Sequence, residues 1–488
     1  MRIGSNACST CAWVLGVLLL TGCAVGPEFS RPQPPESASY SAQPFDLPEA
    51  GEADPAQTLA TGKAVATKWW SLFQSPELDQ LLERTVTTSP TLQAAKASVA
   101  QAQHLVAAAQ GGLYPQVDVT ASAQRQRTGS VGGAGDAHVI ADVYSIGPEV
   151  TLNTDLFGGI RRTVEQQAAL AEYQRYQLAG AYLALTGDVV VQAIDIAAAR
   201  EEMQAVREIV AIDERNLELV QIAQEAGKVA RVDVLAAQSQ LASDRALIPP
   251  IEQQIDVARD ALAVLAGRSP GEWRAPDFDF SELALPTELP VTLPSALVRE
   301  RPDILASEAQ LHAANAAIGI ATAHLYPDIV LSASWTEESA TLGRLFSGSA
   351  GLWSLAAELL APVFHGGTLE AQRQAAIAAY AAQLGSYHAI VAQGFGQVAD
   401  GLHALAHDAD ALAAQQSALA TAQATLELTQ ESFAAGQASF VQLLQTQRLY
   451  QQARLGYSRA KGQRYVDAAQ LFVVMGGDWT AWLAGDSQ

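Results

Sequence analysis

The sequence predicts an α+β membrane protein with an internal duplication. Each half supplies two strands to a transmembrane β-barrel and a pair of long helices to a helical barrel. Three observations lead there. The first is self-similarity. Leu113-Tyr-Pro-Gln-Val-Asp-Val-Thr-Ala-Ser122 lines up with Leu325-Tyr-Pro-Asp-Ile-Val-Leu-Ser-Ala-Ser334, 212 positions later. Leu156-Phe157 before Gly158-Gly159 matches Val363-Phe364 before His365-Gly366-Gly367 at offset 207. Gly227 with Ala230-Arg-Val-Asp-Val-Leu-Ala-Ala-Gln238 matches Gly436 with Ser439-Phe-Val-Gln-Leu-Leu-Gln-Thr-Gln447 at offset 209. Landmarks in constant order mark a tandem duplication whose unit is too long for a solenoid repeat. The second observation is period-2 alternation, and the third is helical stretches far longer than the usual 11–12 residues or so.

The elements follow in chain order. Ala12 to Leu20 is an apolar run of signal-peptide length, too short to span a bilayer. It ends in Leu20-Thr21-Gly22-Cys23, which resembles the bacterial lipobox, so residues 1–22 read as a lipoprotein signal and Cys23 as the lipidation site. Ala24, rather than Asp, follows the cysteine and points to the outer membrane. Cys8 and Cys11 form a CxxC spacing inside the segment removed, which leaves Cys23 alone and no disulfide. Residues 23–68, rich in Pro, Ser and Ala, read as a lipid-anchored tether.

The first repeat, 69–268, opens on Trp69-Trp70-Ser-Leu-Phe73 and a helix start at Ser75-Pro76-Glu77, with serine at N-cap and proline at N1. Helix continues to about Leu113, with a break at Pro90. In 116–124, Val117, Val119, Ala121 and Ala123 alternate with Asp118, Thr120, Ser122 and Gln124. A loop with Gly129, Gly132, Gly133 and Gly135 follows, then alternation from Tyr144 to Leu156, long enough to cross a bilayer when tilted. A helix from Gly159 to about Ala226 turns at Gly227 and returns from about Val232 to Leu265. Met203, Val206, Val210, Leu217 and Val220 form a coiled-coil stripe on it.

A proline-rich connector, 269–294, leads to the second repeat, 295–478, and a tail, 479–488. The second repeat keeps the order: helix to Leu325, strand from Ile329 to about Trp335, and a loop with Gly343, Gly348 and Gly351. A strand from Leu352 to Val363 and a helix from Gly366 to about Ala435 follow, and the helix turns at Gly436 and returns to Val474. Glu149 and Glu358, also 209 apart, fall on the polar faces of their strands.

Four amphipathic strands cannot close a barrel, and open edges in lipid leave backbone groups unsatisfied at several kcal/mol each. Several copies must pool strands into one homo-oligomeric tube. The formal charge of −22, from 51 acidic and 29 basic residues, argues against nucleic acid as a partner.

At this point the chain resembles a known family, the TolC-like outer membrane efflux proteins, in their OprM-like lipoprotein (NodT) branch. The resemblance rests on Cys23-Ala-Val-Gly-Pro27, Trp69-Trp70-Ser-Leu-Phe73, Asp155-Leu-Phe-Gly-Gly-Ile-Arg-Arg162, Leu293-Pro-Ser295, Arg299-Glu-Arg-Pro-Asp303, Ala314-Asn315, Pro362-Val-Phe-His-Gly-Gly367 and Gly476-Gly-Asp-Trp479. It implies a homotrimer with a 12-stranded barrel, four strands per subunit, continuous with a periplasmic helical barrel. It also implies a passive duct for small toxic compounds, docked on a periplasmic adaptor (a membrane fusion protein) and an inner-membrane pump of the RND type. The resting gate is expected at the two helical tips, around Gly227–Leu235 and Gly436–Arg448. Family positions for a gating leucine, aspartate and arginine fall on Val441, Gln445 and Arg448, so the aspartate is missing. Asp233 is then the nearest acidic partner for Arg448, and closure is expected to rest on Val441 and Phe440. The bland alternative for Arg448 and Asp233 is a solvated helix charge. His365 also departs from the family, standing where an aspartate is usual.

Other chemistry is not indicated. His403 and His407 have i,i+4 spacing but no apparent third ligand, so no metal is expected. No phosphate-binding loop, GxSxG or catalytic cysteine occurs, which argues against an enzyme and against any cofactor besides lipid on Cys23. Two other readings stay open: a TolC-like duct for protein (type I) secretion, and a poreless coiled-coil lipoprotein scaffold.

Overall fold

The structure, a computed structural model, describes residues 24–34, 39–41, 57–128, 139–347 and 351–485. Cys23 and the glycines of 129–135 lie outside the described residues. The chain divides into two compact units. One comprises residues 1–32, 98–175 and 306–388, and the other comprises 33–97, 176–305 and 389–488. In chain order the elements are β1 (Thr58–Thr61), α1 (Pro76–Thr88), α2 (Pro90–Gly111), β2 (Gln116–Thr128), β3 (Val139–Asn153), α3 (Gly159–Glu225), α4 (Arg231–Arg245) and α5 (Ile248–Leu265). Then come β4 (Glu288–Val291), α6 (Pro294–Glu300), α7 (Pro302–Ala323), β5 (Asp328–Ser339), β6 (Gly351–Leu360), α8 (Thr368–Ala434), α9 (Phe440–Val474) and α10 (Trp479–Gly485).

The first unit holds an antiparallel sheet in the order β2-β3-β5-β6. Its register sorts the side chains by parity. Val117, Val150, Ala333 and Leu355 share one row, and Asp118, Glu149, Ser334 and Ser354 share the row on the opposite face. Serine pairs lock strands on the polar face, Ser122 to Ser145 at 2.8 Å and Ser334 to Ser354 at 2.9 Å. Trp335 sits directly opposite Trp353 on the apolar face.

The strand ends differ from the sequence reading, and Asp155 explains one of them. β3 stops at Asn153 rather than Leu156 because Asp155 adopts a left-handed φ of 46°. Its carboxylate accepts the backbone N–H groups of Ile160 (2.7 Å) and Arg161 (3.0 Å), and the Arg161 Nε (3.0 Å). The carboxylate therefore caps α3, whose first N–H groups lack helical partners. In the second repeat Pro362 occupies the corresponding place at offset 207, and β6 ends at Leu360 rather than Val363.

The segment read as a tether is docked along part of its length. A Cβ at Gly26 would lie 2.5 Å from the Gly319 Cα, an approach only glycine allows. Arg162 Nε donates to the Val25 carbonyl, Asn315 Nδ2 donates to the Pro27 carbonyl, and Phe29 stacks on His312 with centroids 4.4 Å apart. Arg31 pairs with the buried Glu308 at 2.5 Å. Residues 24–31 thus bring Ala24-Val-Gly-Pro27, Arg162 and Asn315 together at the strand-to-helix junction.

The second unit is helical around an aromatic core. Trp69 is fully buried and stacks on Phe472 at 5.3 Å, and Trp479 Nε1 donates to the Glu300 carbonyl. Arg301, also buried, reaches Asp303, the carbonyls of Gly394 and Val474, and Gln397. A parallel pairing of β1 with β4 joins the expected tether to the expected connector, with Thr58 opposite Glu288 and Thr61 opposite Val291. Neither stretch carries the alternation that would announce a strand.

One helix reading needs correction. The helix returning from Gly227 is not continuous to Leu265. It divides into α4 and α5 at Ala246-Leu247, because Pro249 and Pro250 withhold two backbone N–H groups from the turn before them. In addition α3 contains an 18-residue window of mean hydropathy 1.4, long and apolar enough on composition to cross a membrane, but 61% of that window is buried within the protein.

Candidate functional site

The expected gate residues lie at two helix–turn–helix tips of the second unit. Each turn is made by one glycine in the left-handed region, Gly227 at φ 69° and Gly436 at φ 75°. Each closes its helix with the same backbone bonds. Gly227 and Lys228 donate to the Gln224 and Ala223 carbonyls, and Gly436 and Gln437 donate to Phe433 and Ser432. This is a Schellman-type ending, which favours glycine at C′. The duplication then diverges at the next helix start. In the first copy Asp233 reaches back to the N–H of the N-cap residue Ala230 at 3.0 Å. In the second, Ser439 at N-cap accepts the Gln442 N–H at 3.3 Å. Each copy keeps the opposite half of a capping box.

The expected gate residues separate in space. Phe440 is only 5% exposed and packs in a cluster with Val220, Ala237, Leu426 and Leu443, its ring 6.2 Å from that of Phe433. Val441, one residue on, is 65% exposed, and Gln445 and Arg448 are exposed too. So Phe440 holds the two hairpins together from inside, and Val441 is the apolar side chain that projects outward. A cavity of about 1140 Å³ separates the hairpins, with Asn216, Ile222, Phe433, Gly436 and Val441 on its walls.

Arg448 does not reach Asp233 as the sequence suggested. Its Nε donates to Gln240 Oε1 at 2.8 Å, while Asp233 is occupied as a helix cap. The reason is axial position, since Gln240 lies about two turns further along α4 than Asp233. Gln240 in turn donates to Asp244 at 2.9 Å, and Gln451 of α9 donates to the other oxygen of Asp244 at 2.5 Å. This polar layer ties α4 to α9. The sequence carried a signal for it that the motif reading missed: Gln240–Asp244 and Gln447–Gln451 are i,i+4 polar pairs on otherwise apolar helix faces.

A four-stranded sheet with one apolar and one polar face, repeated helical hairpins and capped glycine tips define an outer-membrane channel of the TolC-like class. The pattern of the family described as "Outer membrane efflux protein" matches residues 81–268 and 293–477. The chain belongs to that family, and it is an efflux channel of the outer membrane. It is 32% identical over 357 residues to a pyoverdine export outer membrane protein, OpmQ, of Pseudomonas aeruginosa, covering 71% of this chain and 75% of that one. It is 29% identical over 363 residues to a probable efflux pump outer membrane protein, TtgC, of Pseudomonas putida, covering 72% and 71%. Among solved structures it matches the outer-membrane channel OprN with a TM-score of 0.84 at 25% identity, covering 94% of this chain and all of that one.

Proposed function

We propose that three copies of this chain form one conduit, the outer-membrane part of a tripartite efflux system with a periplasmic adaptor and an inner-membrane pump of the RND type. One observation carries the reading. The sheet β2-β3-β5-β6 ends on two strands with no partner among the described residues, and its apolar face leaves Val119, Leu355 and Leu359 more than 60% exposed. Unpaired edges cannot persist in lipid, so copies must close the sheet edge to edge. Twelve strands from three copies is the closure the family resemblance implies. Cys23 carries lipid, and the docked residues 24–31 would deliver its acyl chains beside Phe157 and Gly158. The glycine tips close the conduit at rest. Relatives are named for exporting pyoverdine and for efflux, and small toxic compounds or drugs are the cargo proposed here.

Native mass spectrometry of the protein purified from outer membranes in mild detergent tests this. The expected species is a trimer of chains that begin at an acylated Cys23. Monomers with intact β-structure, or chains that retain Cys8 and Cys11, would refute the assembly and the anchor respectively.

A further inference from the structure

Behind the tip, two carboxyl groups from different helices of the first repeat face each other inside the protein. Asp213 of α3 is 5% exposed and Asp244 of α4 is 3% exposed, and the two line one small cavity with Gln240 between their helices, their side chains facing each other. The donors around them are unevenly shared. Asp244 accepts from Gln240 and from Gln451. Asp213 Oδ2 finds no hydrogen-bond partner among the described residues. Two carboxylates so placed cannot both hold a charge away from water, and one proton between them removes the conflict. The hydrogen bonds decide where it sits. Asp244 already accepts from two donors, so the proton sits on Asp213, which donates it toward Asp244.

We propose that Asp213 and Asp244 form a proton-binding site that latches the closed tip, with one shared proton holding α3 to α4 and, through Gln240, Gln451 and Arg448, to α9. When that proton leaves, the two carboxylates repel, α4 pivots at the Pro249-Pro250 break, and the hairpins loosen.

The surroundings allow this. The pair is lined by Leu426 from α8 and by Gln447, Tyr450 and Gln451 from α9. The charged groups around it are engaged: Arg448 with Gln240, Arg245 with Glu214, and Arg454 with Glu201 and Glu208. Glu427 and Arg454 act on Tyr450. Burial first, then the hydrogen bond and charge of Asp244, raise the Asp213 carboxyl to about 8. An acid whose folded value lies above its unfolded value binds its proton more tightly when folded. Its stabilisation is complete at low pH and is lost as pH rises through the folded value. The latch is therefore firm in acid and released in mild alkali. The second repeat has no equivalent break, since α9 runs unbroken from Phe440 to Val474.

This inference rests on the channel reading above. Single-channel recording of the purified full chain in planar bilayers, from pH 6 to 9.5, tests it. The wild type should show conductance rising across a transition near the value of the pair. A difference of one pKa unit between closed and open tips makes the open-to-closed ratio change by about tenfold per pair. Asp213→Asn, which keeps the hydrogen bond and cannot ionise, should stay at the low-pH conductance throughout. Asp408→Asn, at a separate carboxyl pair with Asp467, should keep the step. Infrared difference spectroscopy gives a readout independent of conduction: the protonated-carboxyl band that titrates in the wild type should lose the component due to Asp213 in Asp213→Asn, while the component due to Asp408 remains and disappears only in Asp408→Asn. If Asp213→Asn retains the full step, or its titrating band equals that of the wild type, the latch is overturned. If the wild type forms no channel at any pH, the channel reading fails instead.

Discussion

Phe440 and Val441 are neighbours in sequence with opposite surroundings, so truncating each should separate packing from gating. Phe440 fills the space between Val220, Ala237, Leu426 and Leu443. Removing its ring leaves a cavity that helices held at both ends cannot collapse, at a cost of about 3–5 kcal/mol. That energy multiplies the local opening equilibrium of the tip by a factor on the order of 100 to 5000. Val441 is 65% exposed, and Val441→Ala should change stability by no more than about 0.5 kcal/mol. Hydrogen exchange on the detergent-solubilised protein reads the difference at the backbone amides of residues 433–444. Phe440→Ala should exchange there much faster than wild type, with raised channel conductance, because a loosened tip cannot hold closed. Val441→Ala should leave exchange unchanged and raise conductance only by widening the aperture. If Val441→Ala speeds exchange as much as Phe440→Ala, or Phe440→Ala exchanges like wild type, the assignment of inside and outside at this tip is wrong.

Two further substitutions probe the rest of the fold. Val150→Arg puts a charge in the apolar row between Val117 and Ala333, and it should cost about 2–4 kcal/mol near the bilayer midplane. Thr151→Arg, on the opposite face between Gln116 and Ser332, should be far milder, and yields of folded protein under urea titration will rank the two. Arg301→Ala removes the guanidinium that joins Asp303, Gln397 and the carbonyls of Gly394 and Val474. Asp303 is half-exposed and can be solvated, so the cost falls on the carbonyls left without a donor, about 1–3 kcal/mol, seen as a lower melting temperature by circular dichroism. An unchanged melt would mean that solvent satisfies them.

Features that repeat along the chain are legible in the amino-acid sequence alone. Alternation tells which strand residues share a face, because side chains on a strand point to alternate sides. Glycine at the same place in both copies tells where the hairpins turn, because only a residue without Cβ enters the left-handed region freely. The break at Pro249-Pro250 is equally local, and the continuous-helix reading overlooks it. Relations between segments far apart are not legible in this way. Residues 24–31 look like a flexible tether by composition, and it takes Arg162 on α3 with Gly319, Asn315, His312 and Glu308 on α7 to give them a place to dock. Phe440 and Val441 read alike as apolar tip residues, and the packing of α9 against α3 and α8 turns one inward and the other outward. Gln240 and Asp244 show only an i,i+4 polar spacing, and Asp213 carries no motif at all. Periodicity gives the face of each helix, but the rotation and axial offset of one helix against the next are decided when side chains from both interlock. Those two quantities set the partner of Arg448 as Gln240 and place one carboxyl against another behind the tip.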